Sequence, residues 1–409
     1  MSTTDSASYA EQVARMLWPE PWGAPRVTRS RHRPGSADRD AYVFPSPSRP
    51  RLLVPADVPG AASMLQRLGG GRSTLGGTRR ALERAVRSRA FAHARWPVLR
   101  IGAAAPGTDS IEQHISDRFG TEVRVGIMLG TRRVNQKPVL QVFDVSGGLL
   151  AYAKIGHNEL TSALVRREAT ALSAVRSRRP ATFDLPHVLD HSVWSGLDVL
   201  AISALATDPG RRPTAAARTA VMREVAHLNG TSTAPLADST YWGRVRSSAE
   251  GLSQTPRGDR LLAALDSLEH VSGDQPVEFG SWHGDCGTWN MGLGDGVVKL
   301  WDWERYDADV PLGLDGVHLA AQAVQPGRRT AGTQERDFLA SLPRHLDALG
   351  VPRAQHQLTL RLYLLEIALR YERALAGESL PSLETRTSWV LALLERISGP
   401  ASRLTKGRP

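Results

Sequence analysis

The sequence predicts an α+β chain of two lobes, a small sheet-plus-helix lobe followed by a mostly helical one, with an extra unit ahead of both. Three observations predict it. Strand-like apolar runs follow one another between Glu122 and Ile155, joined by short turns. Beyond Pro213 the apolar residues recur three and four apart, the spacing of amphipathic helices. Residues 25–100 hold sixteen arginines against Asp38, Asp40, Asp57 and Glu83, an excess of twelve in a chain whose net charge is +10. The basic character therefore belongs to one segment, and 409 residues suffice for several packed units.

In chain order, "SASYAEQVARMLW" has helical spacing, and "YVFPSPSRPRLLVPA" reads as two short extended pieces broken by prolines. "LGGTRRALERAVRSRAFAHA" returns to helix. The intervening "GGGRSTLGG" lacks the lysine of a phosphate-gripping P-loop and reads as a connector. "TDSIEQHISDRFG" is a short helix capped by Thr or Asp and closed by Gly120. The strands "EVRVGIML", "PVLQVFD" and "LLAYAKI" follow, the last two joined by "VSGG". A helix over "NELTSALVRREATALSAV" and a buried strand "LDVLAISAL" complete the small lobe. Helices over "AARTAVMREVAHLN", "RDFLASLPRHLDAL", "QLTLRLYLLEIALRYERAL" and "SLETRTSWVLALLERI" build the larger one. The expected organisation is a basic arginine-rich unit over residues 1–105, a small lobe over 106–205 and a helical lobe over 206–409.

Composition excludes several classes. One cysteine rules out a disulfide framework and a cysteine-rich zinc module, and suits a reducing compartment. The opening residues show no basic leader followed by an apolar core, and apolar stretches such as "LDVLAISALA" are about half the length of a membrane span. A cytoplasmic protein without a transmembrane segment is the expectation.

The stretch "SWHGDCGTWNMGLGDGVVKLWDWER" carries the chemistry. "LGDG" is an Asp-Gly hairpin turn between the apolar runs "WNMGL" and "VVKLW". Folding the chain about Asp295 brings Asn290 beside Asp302, with Asp285 on the loop leading in. An amide and two carboxylates at one end of a hairpin suit Mg²⁺, a hard cation that takes one or two carboxylates plus substrate phosphates. A zinc hydrolase would want two histidines at helical spacing, and only His283 is present. Cys286 lies beside Asp285, whose charge raises a thiol pKa, so it reads as a small buried residue and not a nucleophile.

"HGDCGTWN", followed twelve residues after its Asn by "DWE", resembles the signature of the aminoglycoside phosphotransferase and choline kinase-like family. The resemblance implies a bilobal protein-kinase-like fold and transfer of the γ-phosphate of ATP, with Mg²⁺, to a hydroxyl of a small molecule. Carried over by motif, Asp285 is the base that orients and deprotonates the acceptor, and Asn290 and Asp302 are the metal ligands. Trp303 takes the apolar place beside the metal carboxylate, His283 is a structural residue of the loop, and Glu304 a possible accessory. Such a site also demands a strand lysine paired to a helical glutamate. Lys154 ends the third strand, and Glu168 falls on the apolar line Leu160, Leu164 and Leu172, where a carboxylate needs a partner. The loop "GTRRVNQKP" departs from the glycine-rich pattern of protein kinases and offers Gly130 and Thr131, with basic Arg132, Arg133 and Lys137, for the phosphates. The adenine is expected against backbone near Ser203 and Leu205.

For the acceptor, a sugar, amino sugar or amino alcohol, Asp307, Asp309 and Asp315 read either as contacts to a cationic substrate or as solvated loop carboxylates. Two other functions stay open. The arginine-rich unit would let a catalytically inactive, kinase-like adaptor bind nucleic acid or an anionic membrane, although its arginines lack interleaved aromatics. The same fold and metal would also serve transfer of AMP.

Overall fold

The computed structural model describes residues 3–29, 37–67, 76–93, 95–130, 135–208, 210–377 and 380–398. Two compact units divide the chain, Met1–Ala169 with Pro186–Ala204 and Thr170–Leu185 with Leu205–Pro409.

The first unit is built on an antiparallel sheet of nine strands among the described residues. In spatial order these are Arg26–Arg29, Pro97–Ile101, Arg39–Ser46, Arg49–Pro55, Val123–Met128, Val139–Asp144, Leu149–Gly156, Leu197–Ser203 and Val188–Trp194. The separate unit expected over residues 1–105 is therefore corrected. Its four strands continue the small-lobe sheet through the pairs Leu52↔Met128 and Leu53↔Ile127. The cause is legible in the side chains. In a strand, alternate residues face opposite ways, and here both faces are apolar. Tyr42, Phe44, Leu52, Val54 and Val98 pack with Met64 and Phe91 on one side. Val43, Leu53 and Leu99 join Ala10, Leu17, Ile115, Val125 and Ile155 on the other. A sheet buried on both faces cannot be cut at residue 105 without exposing a core. Two glycines fix the join: a Cβ on Gly60 would fall 2.2 Å from the carbonyl oxygen of Gly147 in the "VSGG" turn.

Several arginines of the basic segment serve this unit internally. Arg100 makes a two-pronged pair with Asp40, both bonds at 2.8 Å. Arg39 meets buried Glu112 at 2.7 Å, and Arg87 meets Glu83 at 3.0 Å. These pairs work against the nucleic-acid adaptor reading.

Among its described residues the second unit holds two three-stranded sheets and most of the helices. Ser232–Pro235, Pro276–Trp282 and Asp307–Pro311 pair antiparallel. Met291–Gly294 and Val297–Leu300 form the expected hairpin, with Phe183–Asp184 parallel at its edge. Asp295 at φ 53° and Gly296 at φ 77° are the two positive-φ residues that a type I′ turn requires. The four expected helices are present within Ala215–His227, Ala331–Ala348, His356–Gly377 and Pro381–Ser398. Helices Thr240–Glu250, Gly258–Ser272 and Leu314–Ala321 complete the unit. Among the described residues no helix is long and apolar enough to cross a membrane.

Candidate active site

Lys154 lies on strand Leu149–Gly156 between its register partners Val139 and Leu200. The next helix, Glu159–Ser177, starts at once because Asn158 caps it, its Oδ1 accepting from the Thr161 N–H at 2.9 Å. Gly156 permits the tight approach: a Cβ there would lie 2.6 Å from the Ser162 Cα. The helix consequently passes over the strand, and Lys154 Nζ donates to both oxygens of Glu168 at 2.6 Å. Glu168 is 0% and Lys154 7% exposed. An ion pair this deep is costly to break, because either partner alone is a buried charge.

The loop from Trp282 to Asp285 is pinned from three directions. Asp315, near the start of helix Leu314–Ala321, accepts from the backbone N–H of His283 at 2.7 Å and of Gly284 at 3.1 Å. Arg370, on helix His356–Gly377, donates to the Gly284 carbonyl at 2.7 Å, and its guanidinium lies 5.0 Å from the Trp282 ring centre. The His283 ring spans the loop itself, with Nδ1 accepting from the Asp285 N–H at 3.2 Å and Nε2 3.2 Å from the Trp301 carbonyl. Gly284 sits at φ 78°, where a Cβ would come 2.4 Å from the Arg305 carbonyl oxygen. The sequence thus needs glycine in "HGD" for two reasons, conformation and space.

Asp285 is partly exposed, and each carboxylate oxygen has a donor. His318 Nε2 lies 3.1 Å from Oδ1, and Asn290 Nδ2 lies 2.9 Å from Oδ2 and 2.9 Å from the Asp285 carbonyl. Burial pushes the Asp285 pKa up, but the hydrogen bond from His318 opposes it, and the carboxyl sits below its ordinary range. The exposed Trp289 indole stands 3.5 Å from Oδ2. Cys286 is fully buried, and burial together with Asp315 and Asp285 pushes its thiol pKa well up, the reverse of a nucleophile's setting.

The hairpin sets Asn290 opposite Trp301, whose N–H donates to the Asn290 carbonyl at 3.1 Å, and Asp302 follows Trp301 in the chain. Asp302 has φ 74°, a left-handed conformation uncommon for a residue with a side chain. Its charge acts on Asp285. With the Asn290 nitrogen committed to Asp285, the amide oxygen is the group left for a cation. An amide oxygen and a carboxylate are the hard donors that Mg²⁺ takes, so these residues fit the metal. Trp303 is fully buried, its Nε1 donating to Leu300 at 3.1 Å, and Glu304 is buried beside Arg305.

Other expectations change. Asp315 is no substrate contact, being consumed by the loop backbone. Asp307 and Asp309 are partly exposed carboxylates paired with Arg244, which lies 3.1 Å from the first and 3.6 Å from the second. Ser203 lends its N–H to the His187 carbonyl at 2.9 Å and accepts the His187 N–H on Oγ at 2.9 Å, so that N–H is not available to an adenine. Half-buried Leu205 begins the second stretch of the other unit. Gly130, two residues past the strand Val123–Met128, has φ 68°. Thr131, Arg132 and Arg133 lie outside the described residues.

Residues that sequence reasoning missed are His318, Tyr363, Arg370 and the loop-holding role of Asp315. A carboxylate and an imidazole three apart in the otherwise apolar "LDGVHLAA" were the available signal.

No family model and no curated protein matches this sequence. Solved structures do. A thermostable mutant of aminoglycoside phosphotransferase APH(4)-Ia, in ternary complex with ADP and hygromycin B, is 17% identical over 72% of this chain and 100% of its own, with a TM-score of 0.48. Choline kinase LicA from Streptococcus pneumoniae is 16% identical over 69% and 98%, with a TM-score of 0.44. A putative fructosamine-3-kinase from Haemophilus somnus 129PT is 12% identical over 69% and 96%, with a TM-score of 0.42. The α+β class expected from the sequence is the class of the elements described above, and the chemistry rests on the residues themselves.

Proposed function

We propose that the protein is an ATP- and Mg²⁺-dependent phosphotransferase acting on a hydroxyl of a small molecule, a sugar, amino sugar or amino alcohol. One observation carries the reading: Asp285 is a partly exposed carboxylate on a loop held rigid by Asp315 and Arg370, with both its oxygens oriented. Phosphoryl transfer asks a protein mainly for positioning and charge neutralisation, and a fixed carboxylate meets the first demand. Asp285 takes the proton from the acceptor hydroxyl as its oxygen bonds to phosphorus and the bond to the departing ADP oxygen breaks. Lys154, held by Glu168, meets the nucleotide phosphates. Asn290 and Asp302 would hold Mg²⁺, which when bound neutralises phosphate charge. Complexes of the matched phosphotransferase with ADP and with AMP-PNP support a nucleotide as donor.

The test is a screen of hydroxylated metabolites for consumption of Mg·ATP, run with the native protein and Asp285→Asn. A hit dependent on Asp285 supports the reading. Equal consumption by both proteins removes Asp285 from its role.

A further inference from the structure

Helix Leu314–Ala321 carries two polar side chains one turn apart, and both act on the same loop. Asp315 holds the loop's backbone, while His318 reaches the carboxylate that the backbone presents. His318 is 3% exposed. Its Nε2 lies 3.1 Å from Asp285 Oδ1 and its Nδ1 lies 3.2 Å from the Tyr363 hydroxyl, which is itself buried. The Tyr363 ring meets the imidazole edge-on, with centres 5.9 Å apart at 72°. The imidazole is therefore gripped at both nitrogens.

A neutral imidazole donates from one nitrogen and accepts at the other, and its neighbours decide which. An ionised carboxylate only accepts, so a bare Nε2 lone pair 3.1 Å from Oδ1 would repel it. Nε2 must carry the hydrogen, and Nδ1 then accepts the hydroxyl hydrogen of Tyr363. The result is a one-way chain, Tyr363 to His318 to Asp285. The rival arrangement comes from Gln322, whose amide nitrogen stands 3.0 Å from the same Nε2. Two N–H donors cannot bond each other, so a protonated Nε2 requires the Gln322 amide to turn end for end and give up the 3.4 Å contact of its Oε1 with Arg386. Asp315, Arg370 and Arg386 are the other charged groups acting on this histidine–tyrosine pair.

We propose that His318, set in its Nε2–H form by the Asp285 carboxylate and braced at Nδ1 by Tyr363, is a positioning residue for Asp285, fixing the plane of the carboxylate so that its remaining lone pairs face the acceptor hydroxyl. Asn290 supplies the second fixed point on Oδ2, and two donors from separate elements hold a carboxylate against rotation where one would let it swing. The inference rests on Asp285 being the base of the phosphotransfer proposed above.

Two measurements on the full-length protein test it. Nitrogen–proton correlation spectra of histidine-labelled protein, with His318→Gln identifying the His318 signals, report which ring nitrogen carries the hydrogen. A protonated Nε2 is expected. An unprotonated Nε2, the Gln322 arrangement, overturns the proposal whether or not the protein turns over. The second measurement follows Mg·ATP consumption with water as the phosphate acceptor, beside calorimetric binding of Mg·ATP. His318→Leu is expected to lower kcat about 100-fold, the scale of a misplaced reacting group, with nucleotide affinity unchanged. His318→Gln, which keeps an N–H at similar reach, is expected to recover at least about 10-fold of that loss. Tyr363→Phe costs less, and nothing further in the His318→Leu background. Full turnover by His318→Leu, or equal loss in the Leu and Gln variants, overturns the proposal. Asp285→Asn is the control that separates the two readings. If it turns over like the native protein, the base assignment falls, while the spectra still decide whether His318 donates to Asp285.

Discussion

Glu168 and Asp285 are both carboxylates drawn out of water, yet the chain treats them in opposite ways. Glu168 is sealed, and both of its oxygens are given to one cation, Lys154. Asp285 keeps an open edge, and its two oxygens are given to neutral-type donors on two different elements, His318 and Asn290. The first arrangement neutralises a charge and fixes a strand to a helix. The second fixes a direction and leaves basicity in reach of solvent. A sealed pair can set where a lysine stands, whereas only an open, oriented carboxylate can take a proton from a small molecule.

Breaking the open side has the largest expected effect. Asp285→Asn keeps the shape and the Asn290 contact geometry but removes the base, and phosphoryl transfer should fall about 1000-fold with Mg·ATP binding retained. Steady-state rates and calorimetry together check both halves. Breaking the sealed side should act on stability first. Glu168→Gln removes the charge that accepts from buried Lys154 with both oxygens, and thermal or denaturant unfolding should register about 3 kcal/mol of lost stability. The double variant Lys154→Met with Glu168→Leu sharpens the contrast: apolar replacement of both should restore most of that stability while nucleotide affinity stays lost.

A smaller effect is expected from Gly156→Ala. Its new methyl group, 2.6 Å from the Ser162 Cα, forces the helix away from the strand, at about 1–3 kcal/mol and with weakened nucleotide binding, while Asp285 is untouched. At the bottom of the scale stands Cys286. Its thiol is buried and held protonated, so iodoacetamide at pH 8 should leave the native protein unmodified, and labelling should appear only as the protein unfolds. Rapid labelling of the folded protein would show the loop to be open.

These contrasts mark what the sequence could and could not convey. The hairpin was legible because Asp295-Gly296 dictates a turn, and the turn dictates that Asn290 meets Trp301, the residue before Asp302. The Lys154–Glu168 contact was legible because a carboxylate amid leucines at helical spacing demands a cation nearby. Asp315, His318 and Arg370 were not, because their partners lie 31, 33 and 86 residues away and only the folded chain brings them together. Helix Leu314–Ala321 is also just eight residues long, too short for a periodic signal. The four added strands of the first unit were hidden for another reason. Their side chains show two buried faces, but the joining itself is by backbone pairing at Leu52↔Met128, and side chains do not say which strand a backbone will pair with.

The central claim is that Asp285 drives transfer of a phosphoryl group from Mg·ATP to a hydroxyl. Phosphorus NMR of Mg·ATP incubated with the protein and pooled sugars, amino sugars and amino alcohols tests it most directly. The expected result is loss of the γ-phosphate signal and growth of a phosphate monoester signal, both absent with Asp285→Asn. Monoester formed equally by native protein and variant would contradict the account, as would calorimetry showing no nucleotide binding at millimolar Mg·ATP.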